Sequence, residues 1–285
     1  MAIKYSINEI KKAEINFYGK LYHSNFIFKN LLHLKKKFEV KKVNFLNFLI
    51  RRVKIFFNLY NKKKKATKPS FNHISSDLLN IKYNEFTKNR FCYFENFLNN
   101  DFYKVLLNDW PSKEFFFEAD NPFKNYNFSF RYADSHANYK RYTDLKYLKY
   151  HPELNSMYNF LLHSNQITSL IYSITKLNDF KVWSIACSLA RKGSFLTSHI
   201  DTVAVDKSVP HMVNVIYFID GGKDPKYSGG TGIFKDNEFK EPIFVPNTMK
   251  NSALIYDSKC LFYHGFDIMN KNTHRYAMTF QLKRK

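Results

Sequence analysis

The chain has 285 residues, room for one large domain plus an extension, and its 45% apolar content, with 30 Phe and 20 Tyr, excludes disorder over most of its length. The net charge of +21 is lopsided: residues 1–68 hold 18 Lys and Arg against three acids, and the other 217 hold 27 against 21. Three cysteines (Cys92, Cys187, Cys260), far apart and without a C-x-x-C, exclude a disulfide framework and fit reduced thiols.

The N-terminal stretch lacks the apolar run and cleavage site of a signal peptide. No segment reaches the ~18 uninterrupted apolar residues of a membrane-spanning helix. The expected location is cytoplasmic, with peripheral attachment to the inner face of a membrane as an option that the first element raises. In "VKKVNFLNFLIRRVKIFFNLYNKKKK", Asn44, Asn47, Arg51, Lys54 and Asn58 share one helical stripe, and Phe45, Phe48, Leu49, Val53, Phe56, Leu59 and Tyr60 fall on the other side. Four lysines, Lys62 to Lys65, follow. Three roles fit residues 40–65. Such a helix can lie on an anionic membrane surface, where each basic residue contributes about 1 kcal/mol. It can equally pack on its own domain. The lysine run also suits phosphates, although no nucleic-acid-binding motif accompanies it.

"KATKPSFNH" reads as a linker, so residues 1–68 are expected to form a basic helical extension and residues 69–285 the main domain. "FCYF" then predicts a short strand. A helix follows, capped near Asn99-Asn100-Asp101 and stopped by Pro111. Residues 114–150 show little periodicity and are expected to be irregular or in short strands. "HPELNSMYNFLLHSNQITSLIYSITKLND" predicts two helices split near His163-Ser164-Asn165. Helical support is thus expected over about 90–178.

From about residue 180 the pattern changes. Seven of the eight glycines lie between Gly193 and Gly265. Short β-rich runs ("FKVWSIACSLA", "MVNVIYFI", "TGIFK", "SALIY", "RYAMTFQL") alternate with turn clusters, which predicts a β-sandwich or barrel over about 180–285.

Within that region "SHID" places His199 and Asp201 two residues apart, and on a strand they project to one side. Alone the tripeptide is weak, because ten histidines make roughly half a His-x-Asp expected by chance. The surroundings strengthen it. His264 follows a strand sixty-five residues later, and Arg275 opens the next strand eleven residues after that. Two imidazoles and one carboxylate with positions left open make the facial triad of non-haem Fe(II) oxygenases. An inward arginine calls for a carboxylate partner. His136, His151, His211 and His274 are expected to be ordinary polar residues.

The order "RKGSFLTSHID", "VNVIYFID", "SGGTGIF", "NSALIYDS", "YHGF", "RYAMTF" resembles the Fe(II)/2-oxoglutarate-dependent oxygenase superfamily, in its prolyl-4-hydroxylase-like branch. The resemblance implies an α+β fold: a double-stranded β-helix (jelly-roll, cupin-like) core buttressed by N-terminal helices. It implies that His199, Asp201 and His264 bind Fe(II), and that Arg275, supported by Thr279, holds 2-oxoglutarate. Asn214, Ile216 and Phe218 would face inward. Relatives often carry tyrosines where this chain has Ala190 and Phe218, so Asn214 or Tyr217 would complete the cosubstrate pocket. The implied activity is an O2-consuming dioxygenase, a hydroxylase releasing succinate and CO2. The retained carboxylate favours hydroxylation over halogenation. The expected substrate is a small molecule, glycan or lipid-linked intermediate. The competing function is a non-catalytic binding module on a degenerate oxygenase barrel, docked to membrane or nucleic acid by its basic arm.

Overall fold

A computed structural model describes residues 67–121, 124–133, 145–201, 204, 211–270 and 272–284. The amphipathic segment at 40–65 lies outside the described residues.

The first element among the described residues is a helix absent from the sequence reading, α1 (Ser76–Asn89). Few apolar residues mark it, and only Phe86 is fully buried, so its periodicity is faint. Its caps are clear. The Ser75 hydroxyl accepts from Leu78 N–H, and Arg90, at φ 64°, closes the other end by donating its N–H to Phe86 O. Strand β1 (Phe91–Phe94) follows, then α2 (Asn100–Asp109), capped by the Asn99 side chain as expected.

β2 (Phe117–Asn121) and β3 (Lys124–Ala133) pair with each other in the region read as irregular or in short strands. α3 (Pro152–His163) and α4 (Asn165–Thr175) break at Ser164, whose hydroxyl caps α4. The buried Asp109 carboxylate caps α3 by accepting from Glu153 and Leu154 N–H, which ties α2 to α3.

The remaining strands are β4 (Phe180–Arg191), β5 (Phe195–His199), β6 (Met212–Gly221), β7 (Gly232–Phe234), β8 (Pro242–Phe244), β9 (Ser252–Asp257), β10 (Tyr263–Phe266) and β11 (His274–Arg284). They join in the order β1-β9-β6-β11-β4-β3-β5-β10-β7-β8, and every named pairing from β3 onward is antiparallel. The path curls until its ends meet: Phe244 of β8 lies 5.4 Å from the ring of Phe91 and 5.1 Å from that of Tyr93, both on β1. Between the layers sit Ile216, Phe218, Ile233, Leu254 and Ala277, the apolar filling of a rolled antiparallel sheet. Burying each larger side chain there stabilises the fold by about 1.5–3 kcal/mol. Helices cover the outer face, where Tyr158 of α3 meets Cys187 of β4.

Candidate metal centre

His199 ends β5 and Asp201 follows just beyond the strand, while His264 stands on β10 directly opposite His199. Although sixty-four residues separate them in the sequence, the two imidazole centroids are 4.2 Å apart. One ligand atom from each of His199, Asp201 and His264 lies within 4.8 Å of the others. Asp201 Oδ1 is 3.7 Å from His264 Nε2. This is the only such cluster of three or more candidate metal ligands among the described residues.

The close approach of β10 to β5 depends on Gly265. A Cβ there would meet Leu196 O at 2.6 Å and Thr197 O at 2.9 Å, both backbone atoms.

The protonation pattern suits a cation. His199 Nδ1 is 2.8 Å from Thr197 O; a carbonyl only accepts, so Nδ1 carries a proton and Nε2 is the nitrogen available to a cation. Burial pushes the His264 pKa down to about 4, leaving that ring neutral at physiological pH. Burial lifts Asp201 to about 6, against the opposing pull of His199 and the Asn214 hydrogen bond. A carboxylate held out of water in this way gains from a cation placed beside it. The donor set of two imidazoles and one carboxylate fits a divalent transition metal.

Arg275, at the start of β11, is buried at 3% exposure. Its Nη1 donates to Ser188 Oγ (3.3 Å) and its Nη2 to Thr231 Oγ1 (3.1 Å). The guanidinium lies 5.4 Å from the Phe218 ring and 4.9 Å from that of Phe266. Where the resemblance leads one to expect tyrosines, Phe218 therefore offers a ring face to Arg275, and Ala190 is buried among Phe266 and Met269. Gly229, at φ +85°, leaves the space that the Arg275 side chain occupies: a Cβ there would come 3.1 Å from Arg275 Cδ.

Thr279 lies two strand repeats beyond Arg275 on the same face of β11. Asn214 and Tyr217 differ from expectation. Asn214 faces inward but donates to Asp201 Oδ2 at 2.8 Å, so it orients a candidate ligand. Tyr217 points away from the barrel interior. Its hydroxyl donates to Asn251 Oδ1 at 2.9 Å and its ring packs on Phe97. The reason is the two-residue alternation of a strand: if Asn214, Ile216 and Phe218 face in, Tyr217 faces out. His211 and His274 stand apart from the centre, on Asp257 and Asp220.

Several residues at the centre went unread in the sequence: Thr197, Ser188, Thr231 and Gln281. Gln281 was the most legible, as a polar residue in phase with Arg275 and Thr279 on an inward face. A cleft opens beside Asp201 and His264, walled by Phe91, Ile233, Tyr256 and Phe262, with Arg90 and Asp257 ion-paired beside them.

No protein-family model matches the sequence, and no curated protein does. Solved structures do share the fold. A prolyl-4-hydroxylase from Pseudomonas putida is 15% identical at a TM-score of 0.51, over 73% of this chain and 99% of its own. A prolyl hydroxylase from Trichoplax adhaerens, in complex with a hypoxia inducible factor peptide, is 16% identical at 0.50, over 73% and 89%. An oxidoreductase of the 2OG-Fe(II) oxygenase family from Burkholderia pseudomallei is 11% identical at 0.51, over 77% and 97%. The barrel has the fold of the 2-oxoglutarate- and Fe(II)-dependent oxygenases. No helix among the described residues is long and apolar enough to cross a membrane.

Proposed function

We propose that this chain is an Fe(II)- and 2-oxoglutarate-dependent dioxygenase that hydroxylates an organic substrate. The observation that carries this reading is the convergence of His199, Asp201 and His264 within 4.8 Å, in the same barrel that buries Arg275.

In this reading His199 and His264 donate neutral imidazole nitrogens and Asp201 one carboxylate oxygen, which leaves coordination positions open. The chemistry that iron(II) supplies when bound is oxygen activation coupled to decarboxylation of 2-oxoglutarate to succinate and CO2, with one oxygen atom passing to the substrate. The protein's share is positional. Arg275 offers guanidinium N–H groups to the distal carboxylate of 2-oxoglutarate, and the Ser188 and Thr231 hydroxyls hold its fork in place. Those hydroxyls accept hydrogen bonds but add no negative charge, so the fork stays attractive to an anion. In this reading Thr279, on the same face of β11 as Arg275, adds a hydroxyl to the cosubstrate pocket. Phe91, Ile233, Tyr256 and Phe262 limit water beside Asp201 and His264.

In this reading the substrate is a small molecule, glycan or lipid-linked intermediate. The basic segment at 40–65 would bring the enzyme to an anionic membrane surface. Liposome flotation with and without residues 1–68 tests that role, and equal partitioning of both forms rejects it.

The enzymatic test is succinate release by the purified chain supplied with Fe(II), 2-oxoglutarate and O2. Uncoupled turnover that disappears in His199→Ala is expected. Absence of both turnover and Fe(II) retention in the wild type would leave a binding module.

A further inference from the structure

Three polar side chains on neighbouring strands make a straight run that ends on Asp201. Ser184 of β4 and Asn214 of β6 are both register partners of Gln281 on β11, which lies between them. The Ser184 hydroxyl donates to Gln281 Oε1 at 2.8 Å, Gln281 Nε2 donates to Asn214 Oδ1 at 3.0 Å, and Asn214 Nδ2 donates to Asp201 Oδ2 at 2.8 Å. We infer that Ser184, Gln281 and Asn214 are positioning residues that act as a one-directional relay, fixing Asp201 as a ligand through Oδ1 alone. This inference rests on the metal reading above.

The direction of the relay is dictated by charge. An ionised carboxylate accepts only, so Asn214 must present its NH2 to Asp201. That leaves Asn214 Oδ1 facing Gln281, which must then present its own NH2. Gln281 Oε1 is thereby turned towards Ser184, whose hydroxyl donates. Reversing any amide would set two acceptors face to face. With Oδ2 occupied by Asn214, Oδ1 is the oxygen left towards His264 Nε2, 3.7 Å away. One-oxygen ligation keeps additional coordination positions free for a cosubstrate. The run is partly buried, and a defined donor-acceptor order gives each of its amide groups a partner.

The test uses Co2+ alone as the probe, with the full chain at pH 8, read by titration calorimetry and the visible d–d absorption. Gln281→Glu is the informative variant, because two explanations predict opposite signs. If Gln281 matters only as a nearby group, an added negative charge tightens cation binding. If the relay operates, the new carboxylate faces Asn214 Oδ1 and turns that amide round, so an oxygen is aimed at Asp201. Co2+ affinity then falls about 10- to 100-fold, the range seen when partners of metal ligands are lost, and the d–d bands shift. Gln281→Met, which removes the donor without reversing it, should fall between Gln281→Glu and the wild type. Unchanged or tighter Co2+ binding by Gln281→Glu overturns the relay. If Gln281→Glu does not fold, Asn214→Ala decides: about tenfold weaker binding supports the relay and unchanged binding rejects it. A merely structural role would lower the metal-free melting temperature and leave the Co2+ spectrum in place, also rejecting it. Failure of the wild type to bind Co2+ would instead remove the metal reading itself.

Discussion

His199 and His264 are cross-strand partners, directly opposed in the ladder between β5 and β10, and their rings approach to 4.2 Å. The geometry of the candidate centre is therefore set by how closely two backbones run. Gly265, next to His264, permits that spacing, since any Cβ would press on the carbonyls of Leu196 and Thr197.

Gly265→Ala should push β10 away from β5. The expected result is a stability loss of about 1–3 kcal/mol, as for other overpacked sites, with Co2+ affinity lowered by at least tenfold. Denaturant unfolding and metal titration of the same sample check both. Native affinity would show that strand spacing does not govern the centre.

Arg275→Lys keeps the charge but loses the planar fork that bonds Ser188 and Thr231. The affinity for 2-oxoglutarate should fall about tenfold or more, while Co2+ binds as in the wild type. Calorimetry with each component in turn separates the two sites. Equal loss of both affinities would mean that Arg275 supports the barrel rather than the cosubstrate.

The pH dependence of the metal-free protein follows from Asp201. Burial raises its folded-state value to about 6, above the ordinary value near 4. Stability that is fully present below the ordinary value is therefore lost as pH rises through 6. Metal-free Asp201→Asn should be more stable than metal-free wild type at pH 8, by about 1–3 kcal/mol, and the gap should close near pH 4. Added Co2+ should raise the melting temperature of the wild type only. The same ionisation makes wild-type Co2+ affinity fall as pH drops below about 6, because the proton and the metal compete for one carboxylate. Chemical denaturation across pH 4–8 gives the sign directly.

Tyr217→Phe tests the corrected placement of that side chain. It should cost about 1 kcal/mol, the worth of one hydrogen bond, because Asn251 Oδ1 still accepts from Leu98 N–H. The affinity for 2-oxoglutarate should not change. A tenfold loss would return Tyr217 to the cosubstrate pocket.

What the sequence determined by itself was local and periodic. Two-residue alternation put Arg275 with Thr279 on a shared face of β11, but it did not carry Asp201, which lies beyond the end of β5. Glycine turns and short β-rich runs announced a β-sandwich or barrel. Asn99 marked a helix start through capping chemistry, and helical spacing marked the split near Ser164. The faint apolar pattern of α1 announced nothing, since only one of its residues is fully buried. The tertiary structure alone decided which distant groups meet. Alternation says that Asn214 faces inward, but only the ladders from β4 through β11 to β6 place Gln281 opposite both Ser184 and Asn214. Only the fold brings Asp201, just beyond β5, to the end of that row. The physical reason is that side-chain direction is a property of one strand, whereas contact depends on register between strands far apart in sequence, and a one-residue slip would replace every partner.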